Sequence, residues 1–166
     1  MPRKKESAGL ILFRTGTHGA LELLLVHPGG PFWARKDDGA WSVAKGEVDD
    51  EVQAADLLGV ARREFLEETG FAPAGEFLEL GSLTQRGGKR VHAWAVASDW
   101  DPGTLRSNVV ELEWPAKSGK KHRFPEVDRA AWFTIPEARR KILKGQEEFI
   151  DRLLKRLNAG PLRERA

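Results

Sequence analysis

The strongest constraint on this chain is the segment REFLEETG at residues 63–70. It places three glutamates, Glu64, Glu67 and Glu68, within five consecutive positions and ends in a glycine. An α-helix turns by about 100° per residue, so the three carboxylates would share one face within an arc of roughly 100°. Like charges at this spacing repel by roughly a few tenths of a kcal/mol per pair, and a divalent cation bound to their oxygens would reverse that cost. The segment therefore predicts a helix with a cation-binding face.

The residues around this segment favour a helix that is docked on a core over the alternative, an ordinary solvated helix rich in glutamate. Asp49 and Asp50 are candidate N-terminal caps, and Gly70 can end the helix in the left-handed conformation. Arg63 lies four residues before Glu67 and can hydrogen-bond a carboxylate of the face, which would hold its rotamer. An apolar stripe next to the carboxylate face is predicted from Ala54, Leu58, Ala61 and Phe65.

Together with KGEVDDE at residues 45–51, the segment resembles the Nudix box. That motif is a glycine, five residues, Glu, seven residues, and then Arg-Glu-apolar-x-Glu-Glu-x-Gly-apolar. The matching positions are Gly46, Arg63, Glu64, Phe65, Glu67, Glu68, Gly70 and Phe71. The resemblance extends over roughly residues 8–157 and implies a single Nudix hydrolase domain.

The chain departs from the motif in two ways. The interval from the box glycine to its arginine is three residues longer than in the family, and we expect the extra length around 56–58, ahead of an intact 63–70 block. Val52 stands six residues after Gly46, where the family has a glutamate, and Glu51 or Asp50 can substitute for it.

The resemblance implies hydrolysis of a phosphoanhydride assisted by Mg²⁺, for which Mn²⁺ can substitute. It assigns Glu64, Glu67 and Glu68 as metal ligands, with the carbonyl oxygen of Gly46 as a further ligand, and it makes Arg63 part of the catalytic group.

A second acidic residue, Glu126, is the other candidate for catalysis. It stands six residues before Trp132, and in several members of the family a glutamate at this distance from an aromatic residue of the last core strand reaches the metal site. The alternative is a surface acid that follows Pro125. The catalytic base is therefore either Glu64 or Glu126, and the sequence does not choose between them.

Substrate binding needs cations for phosphate and apolar walls for a base or sugar. Lys45 adjoins the box glycine and is the best placed cation, with Arg86 as a second candidate. Trp33 and Trp41 flank the loop that leads into the box, although Trp41 can equally belong to the core. The expected substrate is a small nucleotide, first a nucleoside triphosphate or a dinucleoside polyphosphate. The alternatives are ADP-ribose or a nucleotide sugar, a diphosphoinositol polyphosphate, an RNA end, and a module that senses a nucleotide without cleaving it.

Composition sets further limits. A chain of 166 residues, 40% of them hydrophobic, can bury one core, and the absence of cysteine excludes disulfides and thiolate metal sites. A net charge of +2 does not favour nucleic-acid binding, and the basic cluster at 117–123 is the only obvious track for RNA. No apolar run is long enough to span a membrane, so the expected location is cytoplasmic. A homodimer is a further expectation, because many members of the family dimerise.

The hydrophobic pattern predicts an α/β (α+β) fold, an α/β/α sandwich with a mixed sheet between helices. Two hairpins are predicted, one from strands 8–14 and 21–27 and one from strands 75–85 and 89–98. Short strands are predicted at 41–44, 109–114 and 131–134, and a basic turn at 115–123. A helix is predicted from Pro136 and another through Phe149 and Leu157. Flexible tails are expected at 1–7 and 158–166, on either side of the domain at 8–157.

Overall fold

A mixed sheet of six strands lies at the centre of the molecule. The computed structural model describes residues 5–159, including the side chains of all but 52, 53 and 159. The strands of this sheet are β1 (Glu6–Thr15), β2 (Leu21–Pro28), β3 (Ala44–Glu47), β4 (Leu78–Thr84), β5 (Arg90–Ala97) and β8 (Val127–Thr134). Their order in the sheet is β4-β5-β1-β2-β8, and β3 pairs with β1.

Both predicted hairpins are confirmed. Strands β1 and β2 pair antiparallel, and the turn between them is closed by a hydrogen bond of 2.7 Å from the Gly16 amide to the Ala20 carbonyl. Strands β4 and β5 also pair antiparallel, with Gly87 and Gly88 in the left-handed region at the turn. The two hairpins join through a parallel pairing of β1 with β5, which makes the sheet mixed as predicted.

Helices pack on both faces of this sheet. They are α1 (Glu51–Ala54), α2 (Leu57–Thr69), α3 (Ile135–Lys141) and α4 (Glu148–Ala159). Because side chains alternate along a strand, Leu10 of β1 enters the core on the α2 side with Phe65, and Ile11 enters the core on the α4 side with Phe149. The architecture is therefore the predicted sandwich, with α2 packed against β1.

Several predicted boundaries were wrong. Strand β4 starts at Leu78, three residues later than predicted. Strand β3 starts at Ala44, whereas Trp41 and Ser42 form only isolated bridges, to Ile142 and Val26. Strand β8 begins at Val127, four residues earlier than predicted, because it pairs with β2 along its length. The basic turn is shorter than predicted, since residues 121–123 belong to strand β7.

Strands β6 (Val109–Glu113) and β7 (Lys121–Pro125) form a separate two-stranded sheet. They pair antiparallel with each other, from Val109 opposite Pro125 to Glu113 opposite Lys121. In the sequence this hairpin lies between β5 and β8, and among the described residues it pairs with no strand of the main sheet.

The ends of the domain also differ from the prediction. Residues 6 and 7, predicted as tail, lie in β1, and the amide of Arg90 donates to the Lys5 carbonyl over 3.0 Å. Helix α4 continues to Ala159, beyond the predicted end at 157. Residues 1–4 and 160–166 lie outside the described part. Within residues 5–159, no helix has the length and apolar character needed to cross a membrane.

Candidate active site

The helix that carries the three glutamates begins later than the candidate caps suggested. The N-cap of α2 is Asp56, whose carboxylate accepts a hydrogen bond of 3.0 Å from the amide of Gly59. Asp50 precedes the short helix α1 instead, with its carbonyl accepting from the amide of Ala54. Residues 55 and 56 separate the two helices. This break overlaps the predicted location of the extra length, residues 56–58.

Residues 106–108 supply hydrogen-bond donors to the carbonyl groups at the C-terminal end of α2. Gly70 takes the left-handed conformation with φ of 80°, as predicted, and ends the helix. The amide of Arg106 donates to the Thr69 carbonyl over 2.8 Å, and the amide of Asn108 donates to the Glu67 carbonyl over 2.9 Å. Because the last carbonyls of a helix lack partners within it, these two bonds fix the segment against α2.

The three glutamates differ in exposure. Glu68 is buried, with 4% of its surface exposed, Glu64 is half-buried, and Glu67 is exposed. Nη2 of Arg63 donates to Oε1 of Glu64 over 3.3 Å, and Nε of Arg63 lies 3.8 Å from Oε1 of Glu67. The arginine thus contacts two of the carboxylates and leaves Glu68 to its other neighbours.

Gly46 lies directly under Glu64. It pairs with Ala8 of β1 in strand β3, and α2 packs across this strand. A Cβ added to Gly46 would overlap the carboxylate of Glu64, so the absence of a side chain is required for this approach. The main chain of β3 and the carboxylate of Glu64 are therefore brought together.

The carboxylates raise each other's pKa. Burial, followed by the negative charges of Glu126 and Glu64, raises the pKa of Glu68 to about 9. Burial and the charge of Glu67 raise the pKa of Glu64 above its ordinary value, against the opposing effect of Arg63. Oε2 of Glu68 is buried with no hydrogen-bond partner among the described residues. The burial and mutual repulsion of these carboxylates therefore disfavour their full ionisation in the metal-free site.

Lys45 is the cation nearest to this buried charge. Burial, together with the positive charge of Lys89, lowers the pKa of Lys45 to about 8, although the charge of Glu68 acts in the opposite direction. Lys89 is itself 3.7 Å from Oε1 of Glu47. Lys45 is thus held in the site without a close ion-pair partner among the described residues, which leaves its ammonium for a substrate anion.

Glu126 reaches the same site from the junction between β7 and β8. Its charge acts on both Glu64 and Glu68. Its Oε1 accepts a hydrogen bond of 2.9 Å from Nδ2 of Asn108, and its amide donates to the Asn108 carbonyl over 2.9 Å. Its own carbonyl accepts from the amide of Gly29 over 2.9 Å. Asn108 was not singled out from the sequence.

A cleft of about 210 Å³ joins these groups. Lys45, Glu68, Glu126 and Trp33 all line it, with apolar side chains that include Leu143. Two predicted substrate contacts lie elsewhere. Trp41 is buried in the core, where it packs edge-on against Phe133 and donates its indole N–H to Asp37. Arg86 occupies the turn between β4 and β5 and is not among the described residues that line the cleft.

The donor set fits a hard divalent cation, although no three acidic or histidine side chains in residues 5–159 are already gathered around one point. The unpartnered buried oxygen of Glu68 needs a positive partner, and burying an unpaired carboxylate is costly. The main chain at Gly46 lies against the carboxylate of Glu64, since a Cβ on Gly46 would overlap that carboxylate. Mg²⁺ commonly binds through one or two carboxylates and keeps several waters, so a complete protein cage is not required.

Comparison with protein families identifies one match. The model described as NUDIX domain matches residues 3–153. No curated protein matches this chain.

Solved structures share the fold. The NUDIX domain of NrtR from Shewanella oneidensis, in a cocrystal with ADP ribose, has a TM-score of 0.65 and 16% identity, covering 95% of this chain and 90% of that chain. An Ap4A hydrolase from C. elegans, as a binary complex, has a TM-score of 0.64 and 18% identity, covering 93% of this chain and 99% of that chain. A mutT/nudix family protein from Listeria innocua has a TM-score of 0.60 and 16% identity, covering 96% and 97%.

Proposed function

This chain belongs to the Nudix family of pyrophosphohydrolases, and on that premise we propose that it uses a divalent metal to cleave a phosphoanhydride bond in a substrate linked to a nucleoside diphosphate. The leading substrate is a nucleoside triphosphate or a dinucleoside polyphosphate. The observation that supports the proposal is the buried carboxylate of Glu68, whose Oε2 has no hydrogen-bond partner among the described residues and which is subject to the charges of Glu126 and Glu64.

The proposed metal ligands are Glu64, Glu67, Glu68 and the carbonyl oxygen of Gly46. Mg²⁺ is the expected ion, and Mn²⁺ would also suit such an oxygen site. A bound divalent ion supplies charge neutralisation for the phosphates and acidifies a water molecule. The raised pKa of Glu68 supports this assignment, because a cation stabilises the ionised carboxylate that the empty protein disfavours.

Glu126 is the proposed catalytic base. One of its oxygens is engaged by Asn108, and the other is left to accept a proton from the attacking water. Glu64 is the alternative, but its half-buried carboxylate lies on Gly46 and contacts Arg63, which suits a metal ligand better. In this assignment Arg63 orients carboxylates and does not itself touch the substrate.

Lys45 is the proposed phosphate contact. It lines the cleft together with Glu68 and Glu126, so its ammonium can neutralise a phosphate that lies against the metal. The bound ADP ribose of the NrtR domain and the Ap4A hydrolase among the similar structures agree with a nucleotide substrate. Arg86 is retained as a weaker proposal for the same role. The homodimer and the cytoplasmic location also remain predictions.

The test is hydrolysis by the purified protein and a Glu68→Gln variant, in Mg²⁺, across nucleoside triphosphates, dinucleoside polyphosphates, ADP-ribose and nucleotide sugars. Glu76→Gln is the matched control, because Glu76 is exposed in the loop between α2 and β4. We expect cleavage that is retained in the control and lost in Glu68→Gln. Nucleotide binding without cleavage of any compound would contradict the proposal and favour a sensor module.

A further inference from the structure

His27 is a buried ionisable side chain that the proposed hydrolysis does not use. It lies near the end of β2, where the chain leaves the main sheet for the loop at 29–40. Nδ1 of His27 lies 2.8 Å from Oδ1 of Asp128 on β8, and Nε2 lies 2.7 Å from the carbonyl oxygen of Lys36. One ring nitrogen therefore contacts the sheet and the other contacts the loop.

Lys36 connects this histidine to the wall of the carboxylate cleft. Its amide donates to the Trp33 carbonyl over 2.9 Å, and its ammonium lies 5.3 Å from the centroid of a Trp33 ring. Trp33 lines the cleft together with Glu68 and Glu126. The contact between His27 and the Lys36 carbonyl is thus one step away from a residue that lines the proposed substrate site.

The loop is also bonded near its two ends. The amide of Gly29 donates to the Glu126 carbonyl over 2.9 Å, and the amide of Gly39 donates to the Arg140 carbonyl over 3.0 Å. Of the hydrogen bonds described for residues 30–36, the one with His27 is the bond that joins this stretch to another element. The stretch that carries Trp33 therefore depends on His27 for its connection to the sheet.

The two partners of His27 determine how many protons these contacts need. A backbone carbonyl and an ionised carboxylate only accept, so both contacts are hydrogen bonds only when each ring nitrogen carries a proton. A neutral ring beside an ionised Asp128 would present a lone pair to one of the two oxygens. A protonated Asp128 would also complete the set, because its carboxyl can donate to Nδ1. The pair therefore needs one proton more than a neutral imidazole beside a carboxylate.

Charged groups of three elements surround this pair. Nε of Arg129 lies 3.6 Å from Oδ1 of Asp128. The ring of Trp41 contacts His27 edge-on at 5.2 Å, and its indole donates to Asp37, which is paired with Lys141 at 2.6 Å. The carboxylate in contact with the ring is therefore that of Asp128. By element, the charged groups on this side are Asp128 and Arg129 of β8, Lys36, Asp37 and Asp38 of the loop, and Lys141 of α3.

We infer that His27 is a positioning residue for the cleft. With a proton on each nitrogen it joins the Lys36 carbonyl to Asp128 and keeps Trp33 in the cleft wall, and loss of one of these protons releases the loop. Release weakens substrate binding and leaves the three glutamates in place, because they belong to α2. The inference rests on the proposed function only for the identity of the substrate, since the contacts form without substrate or metal.

The first measurement is NMR of the protein without metal or nucleotide, from about pH 5 to 9, the range in which histidines titrate. Side-chain ¹⁵N signals report whether each nitrogen of His27 carries a proton, and His27→Gln assigns them among the four histidines. The indole N–H signal of Trp33, assigned with Trp33→Phe, reports the position of the loop. We expect the Trp33 signal to move in step with loss of a proton from His27.

Asp128→Asn separates this role from packing alone. An asparagine amide can donate to Nδ1, so a neutral ring can keep its Nε2–H on the Lys36 carbonyl. We expect the movement of the Trp33 signal to be lost in this variant, with the signal held at its position at low pH. Titration of Glu68, which lines the same cleft, is unaffected by this change of side chain. A Trp33 signal that moves in the same way in both proteins would therefore contradict the inference.

Affinity for ADP, measured by calorimetry in Mg²⁺, tests the consequence for the cleft, because a nucleoside diphosphate is common to the proposed substrates. His27→Phe loses both hydrogen bonds and should weaken ADP binding by about tenfold. Asp128→Asn should keep its affinity at the high pH where the unmodified protein loses it. The matched control is His92→Phe, which removes a histidine paired with Glu6 at 3.3 Å on β5 and should leave ADP affinity unchanged. If His27→Phe does not fold, Asp128→Asn decides.

Three results would overturn the inference. They are a His27 ring that loses a proton while the Trp33 signal stays in place, a ring that carries one proton over the whole range, and a ring that keeps both protons throughout. None of these results depends on hydrolysis. Cleavage that depends on Glu68, with an unresponsive Trp33 signal, would retain the proposed function and remove this inference. A Trp33 signal that follows His27 in a protein that cleaves no nucleotide would retain the positioning role and remove the hydrolase.

Discussion

The side chain of Asn108 donates a hydrogen bond to Oε1 of Glu126 over 2.9 Å, while its amide donates to the carbonyl of Glu67 over 2.9 Å. Asn108 therefore contacts both the helix that carries the three glutamates and the carboxylate of Glu126, which is distant from them in the sequence. This arrangement makes Asn108 a positioning residue for Glu126.

Asn108→Ala should lower kcat by about 10–100-fold, the usual cost of removing a partner that orients an active-site group. KM should change little, because Asn108 does not line the cleft. The backbone bonds persist in the variant, so the melting temperature should remain close to that of the unmodified protein. Steady-state kinetics measure the effect, with Asn158→Ala on the exposed surface of α4 as control. A change in KM alone would contradict a positioning role.

Gly46→Ala should weaken Mg²⁺ binding by about 10–100-fold, because the new methyl group displaces the Glu64 carboxylate. Isothermal titration calorimetry measures the Mg²⁺ affinity of the variant and of the unmodified protein. The matched control is Gly16→Ala, where a Cβ would approach the carboxylate carbon of Glu22 at 2.8 Å, far from the site. Equal Mg²⁺ affinity in the two variants would show that the close approach of Gly46 and Glu64 does not matter for the metal.

The metal-free protein should lose stability as the pH rises from 5 to 8. The pKa of Glu68 is raised from 4.5 to about 9 on folding, so the folded state binds this proton more tightly than the unfolded chain throughout that window. The free energy of unfolding then falls with rising pH, by at most about 1.4 kcal/mol per pH unit for this group. The pKa of Lys45 is lowered from 10.5 to about 8, so the unfolded chain holds this proton more tightly. Lys45 therefore makes the free energy of unfolding rise with pH, but only at higher pH than the window tested.

Glu68→Gln should flatten this dependence, because the amide carries no titrating proton. Urea unfolding of both proteins between pH 5 and 8 measures the difference, and comparison at each pH cancels the other titrating groups. Mg²⁺ should restore stability to the unmodified protein at pH 8 and have a weaker effect on the variant. Parallel curves for the two metal-free proteins would contradict the assignment of the proton to Glu68.

Lys45→Gln should raise KM for the phosphorylated substrate by about 10–100-fold, the usual range for loss of a charge-assisted hydrogen bond. The melting temperature should not fall, because the change removes a charge whose burial is already unfavourable. Lys155→Gln on the exposed surface of α4 is the control. An unchanged KM would place the phosphates away from Lys45.

Short-range sequence patterns predicted much of this structure. The segment at 63–70 predicted a helix, which α2 confirms, and Gly70 ends that helix as expected from a residue that readily adopts positive φ. The alternation of Val110, Leu112 and Trp114 predicted one face of a strand, and all three line a cavity next to the carboxylate cleft. Each of these features depends on residues that are close in the sequence.

Two features of the site depend on contacts between distant residues, whereas the start of α2 depends on local ones. Asn108 and Glu126 are 18 positions apart and meet because β6 and β7 pair, a relation that neither residue signals locally. The sequence left Trp41 open between a binding wall and the core, and its ring is buried in the core against Phe133, which is distant in the sequence. Asp49 and Asp50 had the right chemistry for a cap, whereas the break before Asp56 set the actual start of α2.

The self-paired β6–β7 hairpin has a consequence for how this protein can diverge. It bonds to the rest of the chain at its two ends, through Ser107 and Asn108 on one side and Glu126 and Val127 on the other. We expect changes confined to its middle to leave the pairing of the main sheet intact, because among the described residues no strand of that sheet pairs with β6 or β7. Descendants of one ancestral protein can therefore acquire new substrate preferences through this hairpin while inheriting the same hydrolytic chemistry.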